Sequence, residues 1–342
     1  MATDPIEHAR EKVLDALRNY KGKGTIDEED ALFREYALIV EQVAKGKGPN
    51  SRAIADLFMR DLLPAARAAE ARIAGQIHKG APHYNCGLCL ILSHDFEGAL
   101  AHFEAAAEED LRTRGAQKSG LMTGNHKLSK QVLIDPLLTA FIPKLSADYQ
   151  AITGRSLTDG ELSSLLTWTT ALDFRDLIPL LVALHSMNAS HSDPETEASG
   201  VRRVGALRDM HVTIESALGR LNIGTGTLHP RMEHCLSGNP QAAAGFAKIH
   251  GLFTAQFPNE PDRHTTQALN FIVSRACAEF DLSRDRHERA GIAGYASVKI
   301  RNGILHKNKA TDLHNNSQLA LRMAGWALAT LRTVKHVSEG TF

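Results

Sequence analysis

Near the C-terminus, Arg301 and His306 are separated by four residues, and Asn302 directly follows the arginine. These residue types can do chemistry on a phosphodiester. An imidazole with an ordinary pKa of ~6.5 both takes and returns a proton near neutral pH. A guanidinium fork matches phosphate oxygens better than the point charge of an ammonium does. His306 is therefore the candidate proton-transfer residue and Arg301 the candidate phosphate clamp. On an ideal helix, positions 301 and 306 lie ~140° apart and do not share a face. Asn302 and His306 are four apart and do share one, so Asn302 is the residue expected to orient the imidazole. Arg301 then meets the phosphate from the flank, or the helix loosens near Gly303, or two chains contribute a pair each.

The surrounding charge agrees. Between Arg284 and Lys309 there are seven basic residues (Arg284, Arg286, Arg289, Lys299, Arg301, Lys307, Lys309) against Asp285 and Glu288, in a chain with no net charge. Such a run suits an RNA backbone, and Lys299, Lys307, Lys309, Arg286 and Arg289 are the expected RNA contacts. A solvated helix face whose C-terminal end is complemented by Arg301 and His306 accounts for the same run. His229, His234 and Cys235 lack a carboxylate or second cysteine at zinc spacing. No metal and no cofactor is expected.

The elements that must carry these residues read as helices. Hydrophobic residues make up 43% of the chain and aromatics only 6%. Ala and Leu dominate, which favours helix, and no segment shows the alternation of a strand. Helices are expected over 6–17, 31–43, 51–77 (interrupted near Pro64), 128–153, 163–187 and 199–221. A final bundle is expected over 241–256, 263–280, 284–305 and 316–337. Thr25 with Glu28, and Thr158 with Glu161, have the spacing of capping boxes. A loop holding Gly224, Gly226, Pro230 and Gly238 should precede the final bundle.

From His83 the chain reads HYNCGLCLILSHDFEGALAHFEAAAEEDL. Gly87, Leu90, Phe96, Ala99, Phe103 and Ala106 fall where small residues let two antiparallel helices approach and large ones fill the seam. Over about 25 residues this resembles one tetratricopeptide repeat, which implies a short helical-repeat array over 1–112.

The stretch YASVKIRNGILHKNKATDLHNNSQLALRMAGWALATLRTV resembles the HEPN superfamily. Its members carry an arginine and a histidine a few residues apart, often with a polar residue after the arginine. The resemblance spans roughly the last 70 to 95 residues. It implies an all-α domain acting as a metal-independent endoribonuclease, a toxin or antiviral-defence effector, with RNA as substrate. It also implies a homodimer that builds one composite groove, and a protein partner or antitoxin on the repeat region. Three other readings stay open: a pure interaction protein, the substrate half of a toxin–antitoxin pair, and a nucleotide-sensing module.

Upstream, HSMNASHSDP places Asn188 and His191 at the end of another apolar helix, with Met187 where the arginine would stand. A degenerate second copy would make 128–337 an internal pseudo-dimer; otherwise His185 and His191 are ordinary helix-end residues. The expected organisation is thus a repeat region (1–112), a Gly/Ser/Thr-rich linker (113–127), a helical region (128–240) and the HEPN-like domain (241–342). No apolar leader and no run of 18 apolar residues is present, so neither export nor membrane insertion is expected. Four cysteines without a leader point to a reducing cytoplasm. Cys86 and Cys89 read as small buried hydrophobes.

Overall fold

The computed structural model describes residues 4–115, 127–192, 196–260, 263, 265–307 and 312–342; the side chains of Arg114, Phe174, Leu305, His306 and Lys307 lie outside the description. The described residues form helices and no strand. Two compact units result, Met1–Pro136 and Leu137–Phe342. The expected regions 128–240 and 241–342 mostly share the second unit, because their helices bury one common core.

The first unit begins with α1 (Pro5–Asn19), α2 (Ile26–Ala31) and α3 (Arg34–Ala44). The capping box at Thr25 is reciprocal: the Thr25 amide donates to Glu28 at 2.6 Å, and the Glu28 amide donates to Thr25 Oγ1 at 3.3 Å. It opens only the short α2. α4 (Ser51–Leu57) runs through a widened turn at Phe58–Leu62 into α5 (Leu63–Ile73). Pro64 explains the widening. It has no amide to donate and its ring would strike the carbonyl one turn back, so the helix loosens just before it. α5 ends at Ala74, in the left-handed region, short of the expected residue 77.

α6 (Gly80–Leu92) and α7 (Phe96–Arg114) form an antiparallel hairpin, and α8 (Lys127–Ser129) follows. Asp95 caps α7, accepting from the Gly98 amide at 3.0 Å. A Cβ at Gly87 would stand 2.6 Å from the Phe103 ring, so glycine sets how closely the two helices approach. Phe103 is buried in that seam, Phe96 is buried against the His94 ring, and Cys86 and Cys89 are fully buried with their thiols pushed up, Cys89 to about 12.

The second unit holds α9 (Ile142–Thr153), α10 (Asp159–Leu172), α11 (Phe174–Ser192), α12 (Glu197–Arg220), α13 (Leu228–Leu236), α14 (Pro240–Gln256), α15 (Thr266–Leu282), α16 (Arg286–Lys307), α17 (Asp312–Asn315) and α18 (Ser317–Ser338). Where one helix is expected over 163–187, two are found. Asp173 is extended and its carboxylate accepts from the Arg175 amide at 2.8 Å, which ends α10 and starts α11. Residues 228–236, expected in a loop, are α13, with Pro230 in its first turn where a missing amide costs nothing. The box at Thr158 is only half made. The Glu161 amide donates to Thr158 at 3.3 Å, while its carboxylate turns inward to Tyr149 at 2.8 Å and Arg332 at 2.7 Å.

Candidate functional site

α16 is the centre of the second unit, packed against α9, α12, α13, α14, α15 and α18. Its sequence permits that position because glycines replace side chains at the crossings. A Cβ at Gly291 would lie 2.0 Å from the Ala242 carbonyl, and one at Gly245 of α14 would lie 2.2 Å from that of Glu288. The two backbones therefore touch. Further along, Gly303 faces Leu269 of α15, 2.8 Å from where a Cβ would be. Asp285 starts the helix by accepting from the amides of Glu288 (2.9 Å) and His287 (2.8 Å). Those bonds hold its carboxyl below the usual range.

Arg301 leaves this helix on the side of α12, where its guanidinium forms an ion pair with Glu215. Its Nη1 donates to Asn302 Oδ1 at 3.1 Å, and its Nε is buried without a partner. Both side chains of the pair are about three-quarters covered, at 23% and 29% exposure, so solvent reaches them and an incoming anion could compete with the carboxylate. Glu215 has no signature in the sequence, since it belongs to a distant helix.

The other face of α16 carries Tyr295, Lys299 and Asn302 at helical spacing, and position 306 continues it, four residues beyond 302. The helix runs unbroken to Lys307, so it does not loosen at Gly303. The His306 side chain lies outside the described residues. Lys299 Nζ stands 4.5 Å from the centre of the Phe253 ring and 5.4 Å from that of Tyr295. Burial, with Arg263 nearby, pushes its ammonium down to about 8. Beyond it, His250 Nδ1 lies 3.1 Å from the Tyr295 hydroxyl, and the His229 ring is tilted against that of His250, centroids 5.0 Å apart. Burial lowers the pKa of both imidazoles.

The basic run does not gather on one surface. Arg286 and Arg289 sit at the opposite end of α16, about 22 Å and 18 Å along the helix from Arg301. Arg289 is occupied there: it donates to the carbonyls of Phe280 (3.3 Å) and Ser283 (2.5 Å) and covers the Phe280 ring. Arg286 donates to His287 at 3.2 Å. The physical reason is length, because a helix of 22 residues spreads its charges over more than 30 Å. The Lys307 side chain and Lys309 fall outside the described residues.

Asn188 and His191 occupy the last turn of α11. Asn188 Oδ1 and His191 Nδ1 are buried without partners, and burial lowers the His191 pKa. Arg203 of α12 is 1% exposed and donates to the carbonyls of Ser190 (3.4 Å) and His314. It thereby ties the end of α11 to α17. Gly200 makes room for the His314 ring, which would lie 2.5 Å from a Cβ there. α12 packs on both α16 and α18. No hydrogen bond or ion pair joins Asn188 or His191 to Arg301 or Asn302 among the described residues.

No group of His, Cys, Asp and Glu among the described residues is arranged to hold a metal ion, and no described helix is long and apolar enough to cross a membrane. Comparison with models of known protein families, with curated proteins and with solved structures finds no match to this chain.

Proposed function

We propose that this protein is a metal-independent endoribonuclease of the HEPN type, acting as a toxin or defence effector. His306 moves the protons and Arg301 stabilises charge on the scissile phosphate. The observation that carries the reading is the arrangement on α16. A clamp residue and an orienting amide, Arg301 and Asn302, are bonded to one another one turn before position 306, on a helix held rigid by backbone contact with α14. Rigid placement of donors where charge develops is the main way such a site lowers a barrier. In the reaction the imidazole takes the 2′-hydroxyl proton as that oxygen attacks phosphorus. The 5′-oxygen leaves with a proton, and a 2′,3′-cyclic phosphate remains. A composite groove arises either from two chains or from α11 and α16 of one chain. RNA incubated with the protein in EDTA is the test: cleavage with cyclic ends supports the reading, and cleavage that requires added Mg²⁺ or Mn²⁺ sinks it.

The Arg301–Glu215 ion pair favours one second reading. A guanidinium already neutralised within the unit serves a non-catalytic helical module equally well, with the repeat-like hairpin as the binding part. Protein that leaves bulk RNA intact under all metal conditions selects this reading.

A further inference from the structure

Lys299, Arg263 and Asn302 line one cleft of about 30 Å³ between α14, α15 and α16, walled by Phe253, Leu269 and Ile272. Its polar part is cationic. Lys299 has no carboxylate partner among the described residues and rests on aromatic faces alone. Arg263 is anchored by the carbonyls of Phe257 (2.7 Å) and Pro258 (2.9 Å), which fix the guanidinium without neutralising it. The first turn of α15, capped by Thr265, opens into the same cleft and adds the positive end of its dipole. Asn302 gives its oxygen to Arg301, which leaves its amide hydrogens for the cleft. Two cations held together in a part-buried space repel one another unless an anion joins them. The cleft is small and partly open, with room for a group of a few heavy atoms.

We infer that this cleft is a phosphoryl-binding site in which Lys299, Arg263 and the Asn302 amide grip one phosphate group on the face of α16 that continues to position 306. The ligand class is a phosphate mono- or diester. Its source as a backbone phosphate of bound RNA rests on the ribonuclease reading, whereas the cleft itself does not. It also divides the labour on α16: the phosphate on the 306 face is held by Lys299 and Arg263, and Arg301 works from the α12 side.

The full-length chain is labelled with an amine-acylating reagent in the presence and absence of inorganic phosphate, and modification of Lys299 is read by mass spectrometry. Phosphate should protect Lys299, with chloride at equal ionic strength giving no protection. Lys299→Met keeps an unbranched apolar stem on Phe253 and should bind phosphate about tenfold or more weakly, as loss of a charge-assisted hydrogen bond requires. Lys299→Arg should retain binding. Unprotected Lys299 in the unmodified chain overturns the inference whether or not any variant folds, as does a folded Lys299→Met protein that binds phosphate normally. A second arm uses 2′-O-methyl oligoribonucleotide, which cannot be cleaved. Protection by it assigns the site to RNA, and protection by phosphate alone overturns that assignment. The ribonuclease reading fails separately, since an inactive protein whose Lys299 is protected loses the activity and keeps the site.

Discussion

Arg301 of α16 is paired with Glu215 of α12, and the same guanidinium donates to its neighbour Asn302. A phosphate that reaches Arg301 must displace a carboxylate already in place. Glu215→Gln should therefore tighten RNA binding several-fold and steepen its salt dependence, since one more cation becomes free to release counterions. The pair is about three-quarters covered, so stability should fall by about 1–3 kcal/mol as the guanidinium loses its charged partner. Filter binding across a salt series measures the first effect and urea unfolding the second. Weaker RNA binding in Glu215→Gln would mean that the carboxylate helps the ligand rather than opposing it.

Arg301→Ala and His306→Ala should each lose most RNA cleavage while the chain stays folded, and Asn302→Ala should fall between them and the wild type. An imidazole that both removes and returns protons gives a rate that peaks or levels near neutrality. Cleavage of a labelled RNA in EDTA, with circular dichroism of each variant, is the check. Full activity in both Arg301→Ala and His306→Ala removes the basis for the ribonuclease reading. Light scattering decides between two-chain and internal grooves: an active monomer weakened by His191→Ala favours the internal arrangement.

Gly291→Ala should destabilise the second unit by more than ~3 kcal/mol, because the new methyl meets the Ala242 backbone and no rotamer can relieve it. Gly87→Ala in the first unit should cost less, about 1–3 kcal/mol, since the obstacle is the Phe103 side chain. Phe103→Leu should then partly rescue Gly87→Ala, whereas Phe103→Ala alone should lose ~3–5 kcal/mol as a core truncation. Both tryptophans, Trp168 and Trp326, lie in the second unit, so fluorescence follows that unit and circular dichroism follows both. Equal losses for Gly291→Ala and Gly87→Ala would contradict the backbone contact.

Acid should weaken the second unit through His211. This imidazole is buried, its Nδ1 donating to the Leu207 carbonyl at 2.6 Å, and burial pushes its pKa down to about 4. Because the folded pKa lies below the unfolded ~6.5, its contribution is complete above pH ~6.5. It is lost as the pH falls towards 4, up to ~3 kcal/mol in all, because the unfolded chain takes up a proton that the folded one refuses. His191, His229 and His250 are shifted in the same direction. Urea midpoints followed by tryptophan fluorescence should drop over that range, and His211→Leu should flatten the slope. An unchanged slope in His211→Leu would assign the effect to the other histidines.

The sequence by itself determined the helical class, most helix positions and the seam of the α6–α7 hairpin, because these rest on local spacing. Ala- and Leu-rich composition selects helix, Asp95 caps α7, and Gly87 opposite Phe103 lies within a single hairpin. Local chemistry also marked Arg301, Asn302 and His306 as neighbours on one helix. What faces that helix was decided only by tertiary structure. Glu215 comes from α12, Phe253 from α14 and Arg263 from the segment between α14 and α15, and Gly245 and Gly291 bring the backbones of α14 and α16 together. The same packing turned a run of seven basic residues into separate local environments. Arg289 closes the end of α15, Lys299 rests half-buried on aromatic rings, and Arg301 meets a carboxylate. Charge counted along a chain cannot reveal this, because electrostatic surroundings depend on distance in space and on burial, and both are set by helices far apart in the sequence.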